Sequence, residues 1–443
     1  MAGMPTGPVR VLMVAIGGYG FYYLKTLLEE CDPTRARVVG IVDPEAERSA
    51  AWPTVAGLGV PVCANVEEYY AAGHEADLAV IASPIHHHVP QSLVALAGGS
   101  NVLCDKPLGA TIQEAEHLIA ARNAARRWVM IGYQWSFSAA ILALKHDISA
   151  GLFGRPKRCA TMCCWPRDAQ YYQRNNWAGR LHDRATGRWV LDSPANNAMA
   201  HFLHNLFFVL GSAPHLSARP REVQAEVYRA YPLESCDTVA CRAITDEDTE
   251  VLFLVSHATR TRLEPRFRLE FEDAVVTFGE DAPTVVATDR TGRRKDYGSP
   301  EDTPQFRKLF AAIDGALHEA PIACGPEAAL SQTLAVNGIH ESMPDACEFP
   351  AGMVRHEIGP ERLAVDGLAE TLSRCYREAL LPSETGASWA VAGRRVSLAG
   401  YRWYPGGAGS GGVSAGETGS GEVSAGAPGD TPTAGPARAR RTP

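Results

Sequence analysis

The sequence lacks the long apolar run and the basic surplus that mark two common protein classes. No run of about 18 apolar residues occurs, which argues against a transmembrane helix. Lysine and arginine number 42 against 50 aspartate and glutamate residues, so the formal net charge is −8. Nucleic-acid binding relies on clustered basic residues that neutralise phosphates, and this charge balance therefore argues against a nucleic-acid partner.

The cysteines and the first residues also lack the patterns of exported or zinc-stabilised proteins. The eleven cysteines are scattered, with Cys163 and Cys164 adjacent, and no CxxC spacing occurs. Neither a zinc cage nor a disulfide framework is indicated, so we expect reduced, mostly buried thiols. The start, MAGMPTGPVRVLMVAIGG, lacks the charged, apolar and cleavage regions of a signal peptide. We therefore expect a cytoplasmic protein.

The apolar content is sufficient for a large core. With 443 residues, of which 46% are hydrophobic, the chain is predicted to form two globular domains. In residues 1–133, short apolar runs alternate with helix-like stretches, a pattern typical of α/β proteins with a doubly wound parallel sheet. In residues 134–405, successive strand-like runs separated by turn residues predict an α+β domain built on an open, mainly antiparallel sheet.

The C-terminal third of the sequence is predicted to contain mainly helices and a disordered tail. Helices are predicted at residues 303–320, 325–343 and 359–381, followed by a strand within residues 393–405. Residues 406–443 consist almost entirely of Gly, Ser, Ala, Pro and Thr. Such a segment buries too little apolar surface to offset the entropy of ordering, so we predict a disordered tail.

The first predicted strand runs into a glycine-rich turn, AIGGYG. Ala15, Gly17 and Gly20 occupy the three glycine positions of GxGxxG, with Gly18 and Tyr19 between the last two. Between a strand and a helix, this motif indicates a Rossmann dinucleotide-binding turn, with a pyrophosphate at the helix N-terminus. Ala15 departs from the motif, and we expect its methyl group to be tolerated only if φ stays negative.

An acid follows at the spacing that ribose binding requires. Asp43 ends the second predicted strand, twenty-three residues after Gly20. A carboxylate there binds the adenosine ribose hydroxyls and repels a 2′-phosphate, so NAD is favoured over NADP.

Two further loops lie where ligands bind to open parallel sheets, beyond the carboxyl ends of the strands. Ser83 and Pro84 follow the run DLAVIA, and Asp105, Lys106 and Pro107 follow NVLC. We expect Lys106 to project towards the nicotinamide side of this crevice.

Together, the segments AIGGYG, ASPIHHHVPQSL, NVLCDKPLGATIQEAEHLI and GYQWSFSAAILALKHDISAGLFGRPKR resemble the Gfo/Idh/MocA family of oxidoreductases. The resemblance covers roughly Val9 to Pro350, and CDKP is similar to the family's Glu-Lys-Pro, with Asp105 replacing Glu. It implies NAD or NADP in the N-terminal domain, a sugar or cyclitol substrate on the C-terminal sheet, and pairing of subunits through the open face of that sheet. It also implies a structural contact at His88.

The family usually carries a DxxxH pair, whose histidine acts as acid and base. Here that spacing falls on Asn197 and His201, which we expect to share one helix face. The amide can bind a substrate hydroxyl but cannot take a proton, so His201 and Lys106 are the predicted catalytic groups, with Asn197 beside them. His204, one turn further, either contacts substrate or packs in the core.

A second group of histidines is His86, His87 and His88. Three neighbours in a tight loop point in different directions and cannot chelate one ion, so no metal site is predicted. His86 or His87 could line the nicotinamide pocket.

Near the start of the second predicted domain, residues 163–183 are rich in Trp, Tyr, Arg and Asn. Aromatic rings against C–H faces and directional donors suit a polyhydroxylated ligand, although protein interfaces are enriched in the same residues. The candidate substrate contacts are Trp165, Arg167, Tyr172, Arg174, Asn176 and Trp177. Arg167, Arg174 and Arg180 also leave room for a carboxylate or phosphate on the substrate.

The sequence thus predicts an NAD(P)-dependent dehydrogenase or reductase that acts on a CH–OH group of a sugar, cyclitol or related polyol. Two alternatives stay open. One is a cofactor-binding sensor without turnover, which stays open because Asn197 replaces the acid of the family motif. The other is a redox-neutral enzyme that oxidises its substrate transiently and then restores its NAD.

Overall fold

Uninterrupted apolar runs form the N-terminal sheet, because both faces of a parallel sheet are covered by helices. The computed structural model describes residues 7–318, 320–357 and 361–406. The six strands of this sheet are β1 (Val9–Val14), β2 (Ala36–Val42), β3 (Val62–Cys63), β4 (Leu78–Ile81), β5 (Asn101–Cys104) and β6 (Val129–Ile131). All are parallel in the order β3-β2-β1-β4-β5-β6, so the predicted doubly wound sheet is confirmed.

The helices between these strands follow local sequence signals. They are α1 (Gly18–Glu29), α2 (Trp52–Ala56), α3 (Val66–Ala71), α4 (Ile85–Ala97) and α5 (Ile112–Ala125). For example, α5 begins with a capping box in which Thr111 and Glu114 satisfy each other's backbone donors. The strand order reverses between β1 and β4, which opens a crevice at the carboxyl ends of those strands.

The C-terminal sheet contains ten strands in the described residues. They are β7 (Pro156–Cys164), β8 (Pro220–Arg229), β9 (Thr238–Thr245), β10 (Glu250–Ser256), β11 (Leu263–Phe271), β12 (Ala274–Phe278), β13 (Val286–Asp289), β14 (Arg294–Asp296), β15 (Cys347–Glu348) and, paired with β8, β18 (Arg395–Ser397). Most pairs are antiparallel, and the β7–β10 and β8–β15 pairs are parallel. The predicted mainly antiparallel sheet and the terminal strand are therefore confirmed.

The rest of the described chain contains six further α-helices, a two-stranded ribbon and short 3-10 turns. The helices are α6 (Ala139–Ser149), α7 (Ala169–Gln173), α8 (Ala200–Val209), α9 (Arg307–His318), α10 (Pro326–Ser342) and α11 (Leu368–Glu378), and the ribbon pairs β16 (Val354–His356) with β17 (Leu363–Val365). The single helix predicted over residues 359–381 is wrong in its first part. Gly367, with φ of +73°, separates β17 from α11 in the left-handed turn that glycine favours.

The outer face of the ten-stranded sheet is covered by the chain itself. Leu368, Leu372 and Cys375 of α11 are buried against apolar side chains such as Met162 and Leu254. The sequence did not predict this cover, since no role was assigned to residues beyond Pro350. The predicted boundary at residue 133 stays a prediction, and the tail predicted for residues 406–443 lies, apart from Gly406, outside the described residues.

Candidate active site

The glycine-rich turn lies between β1 and α1, as predicted, but Ala15 does not keep a negative φ. Its φ is +66°, a left-handed value that alanine rarely adopts. Gly20 packs closely on this residue, since a Cβ at Gly20 would lie 2.1 Å from the carbonyl oxygen of Ala15. The turn therefore requires glycine at position 20, whereas position 15 holds alanine in a disfavoured conformation.

The space above this turn fits a pyrophosphate. Gly17 is the N-cap of α1, and a Cβ built there would meet no atom within 4 Å. No side chain caps the helix N-terminus, so backbone N–H groups and the positive end of the helix dipole face this space. Both features are what a bound dinucleotide requires.

Asp43 follows β2 and lies against the same turn. Its two carboxylate oxygens accept backbone N–H groups from Ile16 and Glu45, each at 2.9 Å. Each oxygen keeps a second lone-pair direction for a ribose hydroxyl. The fixed negative charge beside the turn opposes a 2′-phosphate, which supports the preference for NAD.

Asp105, which the sequence places among the cofactor-binding residues, is hydrogen-bonded to other residues of the protein. It follows β5, and its Oδ1 accepts hydrogen bonds from the hydroxyl of Tyr23 and from Lys308 Nζ, each at 2.9 Å. Burial opposes the charged form of Asp105, but the ammonium groups of Lys308 and Lys106 outweigh it, so the pKa of Asp105 is lowered. Asp105 thus joins β5 to α9.

Lys308 is a site residue that the sequence analysis missed. Its side chain is 1% exposed and also donates to the carbonyl oxygen of Gly132 at 3.0 Å and to the hydroxyl of Tyr19 at 3.3 Å. Burial lowers its pKa and Asp105 more than compensates, so the pKa of Lys308 is raised. A lysine in an amphipathic helix carries no sequence signal that separates this buried role from an exposed one.

Lys106 links the two halves of the candidate site. Its Nζ donates to the backbone oxygen of Asn197 at 2.9 Å and to Asn197 Oδ1 at 3.1 Å. The expected pairing of Asn197 and His201 on one helix face is wrong, because α8 begins only at Ala200 and Asn197 lies in the preceding turns. Tertiary contact with Lys106, rather than helical spacing, therefore positions Asn197.

His201 lies in the first turn of α8 with its ring edge towards Tyr133, the ring centroids 5.7 Å apart. Its Nδ1 is buried and has no hydrogen-bond partner. Burial, followed by the charges of Lys106 and Lys308, keeps the pKa of His201 well below its ordinary value, so the imidazole is neutral at pH 7. A neutral ring with an unpartnered nitrogen can accept a proton from a substrate hydroxyl.

His204 is 1% exposed and lies in the core behind this site. Its ring stacks on Tyr133 with centroids 3.9 Å apart, and its Nε2 lies 2.9 Å from Ser136 Oγ. Burial and Lys145 lower the pKa of His204 to about 3. Of the two alternatives for His204, these contacts favour packing in the core.

The three consecutive histidines begin helix α4 rather than occupying a tight loop. The ring nitrogens of His88 lie 2.7 and 2.8 Å from the carbonyl oxygens of Pro107 and Ser83. His88 therefore braces the two loops that follow β4 and β5.

His86 and His87, which precede His88 at the start of α4, have different surroundings. His86 Nε2 is 3.9 Å from Asp183 Oδ1, and the rings of His86 and His87 are 4.1 Å apart. Pro84 is the N-cap of α4, and Ser83 donates to Gln91 at 2.6 Å. Within the described residues, no group of three or more His, Cys, Asp or Glu side chains could hold a metal ion.

The segment predicted to contact substrate forms an aromatic and arginine cluster around α7. The guanidinium groups of Arg167 and Arg174 lie 4.7 and 3.8 Å from the centroid of the Tyr171 ring. Neither arginine forms an ion pair with an acid in the described part of the chain, whereas Arg180 pairs with Glu234 at 3.1 Å.

The other residues of this segment are held by side-chain contacts of their own. Trp165 donates to Glu264 at 3.0 Å, Tyr172 packs 5.0 Å from the ring of Tyr231, Trp177 is partly buried and Asn176 is exposed. Their contact with a substrate stays a prediction.

Asp192 is the second site residue that the sequence analysis missed. Its Oδ1 accepts Asn197 Nδ2 at 2.8 Å, and its Oδ2 accepts the backbone N–H of Gly179 at 2.6 Å. The signal was an acid directly after the apolar run Trp189–Leu191, five residues before Asn197.

Comparison with known proteins agrees with this architecture. Residues 9–133 match a family model described as an oxidoreductase family with an NAD-binding Rossmann fold. Inositol 2-dehydrogenase 1 of Saccharopolyspora erythraea is 30% identical over 200 residues, which cover 44% of this chain and 57% of that protein. The 1,5-anhydro-D-fructose reductase of Ensifer adhaerens is 32% identical over 123 residues, 28% of this chain and 36% of that protein.

A solved structure shares the fold over most of the chain. The WlbA dehydrogenase of Bordetella pertussis, in complex with NADH and UDP-GlcNAcA, has a TM-score of 0.61 and 18% identity, and the match covers 76% of this chain and 96% of that one. The matches to the two curated relatives span 57% and 36% of their lengths. In the described part of the chain, every helix is too short or too polar to cross a membrane. Residues 9–133 thus match the NAD-binding Rossmann domain of the Gfo/Idh/MocA oxidoreductase family, and the fold of most of the chain is shared with a solved dehydrogenase structure.

Proposed function

We propose that the protein is an NAD-dependent oxidoreductase that acts on a CH–OH group of a sugar, cyclitol or related polyol. One observation carries this proposal. The ammonium of Lys106, at the end of β5, contacts Asn197 just ahead of α8, and His201 in that helix keeps a buried ring nitrogen without a partner. A cation and a neutral base beside an NAD-binding turn are the groups that alcohol oxidation needs.

When bound, NAD supplies the hydride acceptor, and this chain supplies the groups that handle the proton and the charge. The neutral imidazole of His201 accepts the proton of the substrate hydroxyl. Lys106 Nζ donates a hydrogen bond to the same oxygen and stabilises the negative charge that develops there. In the direction of reduction, His201 returns the proton to the carbonyl oxygen.

Removing either group tests this mechanism. Lys106→Ala and His201→Ala should each lower turnover by about two to four orders of magnitude, the range for lost acid–base or charge stabilisation. Dissociation constants for NADH, measured by fluorescence, should change little. The exposed lysine of β7 provides a control, so Lys157→Ala should keep wild-type turnover. Wild-type rates in both site variants would refute the assignment.

The assay follows nicotinamide absorbance with a panel of sugars, inositols and their acids. Tight NADH binding without consumption of any substrate would instead support a sensor. Consumption of substrate without net absorbance change, detected by mass spectrometry, would support the redox-neutral alternative.

We also propose a cytoplasmic location and a homo-oligomeric state. All eleven cysteines are free thiols, which suits a reducing compartment. Light scattering of the full chain measures its mass directly, and a monomer at micromolar concentration would contradict the oligomer.

A further inference from the structure

A continuous set of hydrogen bonds runs from Lys106 into the second half of the molecule. Lys106 Nζ donates to Asn197 Oδ1 at 3.1 Å, and Asn197 Nδ2 donates to Asp192 Oδ1 at 2.8 Å. The backbone N–H of Gly179 closes the set by donating to Asp192 Oδ2 at 2.6 Å. Asp192 is 3% exposed, so its carboxylate is shielded from solvent.

We propose that Asp192 is a positioning residue. Its carboxylate orients the side chain of Asn197, and Asn197 in turn positions the ammonium of Lys106. This inference rests on the proposed function, in which Lys106 binds the reacting oxygen. The carboxylate that the family motif places at position 197 is thus supplied five residues upstream, with the amide of Asn197 as the connection.

The direction of the hydrogen bonds explains why an acid is needed. An asparagine side chain has one accepting and one donating end, and nothing in the side chain itself decides which end faces Lys106. Both carboxylate oxygens of Asp192 only accept, so Asn197 must turn its N–H group towards Asp192. Its oxygen is then held towards the ammonium of Lys106, which fixes that ammonium in position.

Charge contributes as well. Burial raises the pKa of Asp192, while the Gly179 N–H, Arg174, Asn197 and Lys106 favour its ionised form. Burial lowers the pKa of Lys106, and the nearby acids oppose that change. The charged and titratable groups around Lys106 are Asp105, Asp192, Arg174, Lys308, His88 and His201. Loss of the negative charge at Asp192 should therefore lower the pKa of Lys106 further.

The decisive variant is Asp192→Asn. The new amide has one oxygen but meets two donors, the N–H groups of Gly179 and Asn197. One of them is left facing an N–H group, or the Asn197 amide flips and turns its own N–H towards Lys106. We expect kcat to fall about 10- to 100-fold through misplacement of Lys106, with the KM for NAD unchanged.

The exchange variant Asp192→Asn/Asn197→Asp provides the rescue. Lys106 then donates to the carboxylate at position 197, and the amide at position 192 donates to that carboxylate while accepting from Gly179. Every donor regains an acceptor, so kcat should return to within about threefold of wild type, as expected when pairing is restored. An exchange variant as impaired as Asp192→Asn, although folded and NADH-binding, would overturn the proposal.

A buried carboxylate away from the site serves as the matched control. Glu226 on β8 is 0% exposed, its pKa is also raised by burial, and it binds Tyr228 and Ser383. Glu226→Gln should lower stability without changing the pH dependence of kcat/KM. In Asp192→Asn, by contrast, the limb of that profile governed by Lys106 should move to lower pH.

A measurement that does not depend on turnover tests the role of Asp192 separately from the proposed function. Competitive acetylation of Lys106 with acetic anhydride, read by mass spectrometry across pH, reports the Lys106 pKa in any folded variant. Asp192→Asn should lower it by about half to one unit, the exchange variant should restore it, and Glu226→Gln should leave it unchanged. An unchanged Lys106 profile in Asp192→Asn would refute the positioning role, whereas absent polyol turnover in the wild type would refute only the proposed function.

Discussion

At the scale of single residues, Ala15 occupies a conformation that its side chain disfavours. A φ of +66° brings the alanine Cβ close to its own backbone, and such conformations cost about 1–3 kcal/mol when the surrounding structure imposes them. Glycine has no Cβ and adopts this region freely, although it also gains entropy in the unfolded chain. Ala15→Gly should therefore raise the free energy of unfolding by about 0.5–1 kcal/mol, measured by chemical denaturation.

A helical alanine provides the contrast. Ala121 lies in α5, where glycine is less favourable than alanine by about 0.8–1 kcal/mol, so Ala121→Gly should destabilise. Destabilisation by Ala15→Gly would show that the methyl group makes contacts that outweigh its strain.

At the scale of elements, one buried ion pair fastens α9 to the end of β5. Lys308→Met removes the ion-pair partner of Asp105 and leaves this buried carboxylate with only the Tyr23 hydroxyl and the nearby charge of Lys106. Breaking a buried ion pair by removing one partner costs about 3–5 kcal/mol. The lowered pKa of Asp105 contributes stability above its unfolded pKa of about 3.9, and this contribution is lost as the pH falls through the folded pKa. The raised pKa of Lys308 contributes stability that is lost only at alkaline pH, as the pH rises through its folded value.

The difference in unfolding free energy between wild type and Lys308→Met should therefore be full at neutral pH and shrink below about pH 4. Denaturant unfolding at several pH values measures it. Arg307 on the same helix is exposed and lies 3.3 Å from Asp314, so Arg307→Met should cost less than about 1 kcal/mol. Equal losses in the two variants would mean that the buried pair contributes no more than a surface pair.

At the scale of the whole molecule, the chain covers its own sheet. Side chains of β10 alternate between the two faces, with Phe253 in the main core and Leu252 and Leu254 under α11. The family resemblance implies subunit pairing through this sheet face, and α11 occupies the part of the face formed by β7 and β10.

Loosening α11 tests the importance of this cover. Leu372 is 0% exposed, and Leu372→Ala should lower the free energy of unfolding by about 2–5 kcal/mol through the cavity it leaves. Exposed apolar sheet should also increase binding of a hydrophobic dye and promote self-association in light scattering. Arg377→Ala, on the exposed side of the same helix, should change neither readout. A variant Leu372→Ala as stable as wild type would contradict a structural role for the cover.

How much the sequence predicts depends on how far apart the interacting residues lie. The alternation of apolar runs with helix-like stretches predicted the parallel sheet. Motif spacing placed Gly17, Asp43 and Lys106 at one end of that sheet. The run VLFLV within β10 also carried a signal that the sequence analysis did not use, since consecutive apolar positions are consistent with a strand buried on both faces.

The sequence by itself determined the Rossmann sheet, the glycine turn and the position of Lys106 at a strand end, because each depends on residues close together in the chain. The tertiary structure alone decided that Lys308 pairs with Asp105, 203 residues away, and that α11 covers the second sheet. It also decided that Asp192 holds Asn197, since a carboxylate and an amide pair through the turn geometry ahead of α8 and not through any helical or strand period. The hydrophobic period of a helix or strand is visible in the spacing of residues along the sequence. Residues that come into contact only after the elements pack have no fixed spacing, so the sequence does not reveal them.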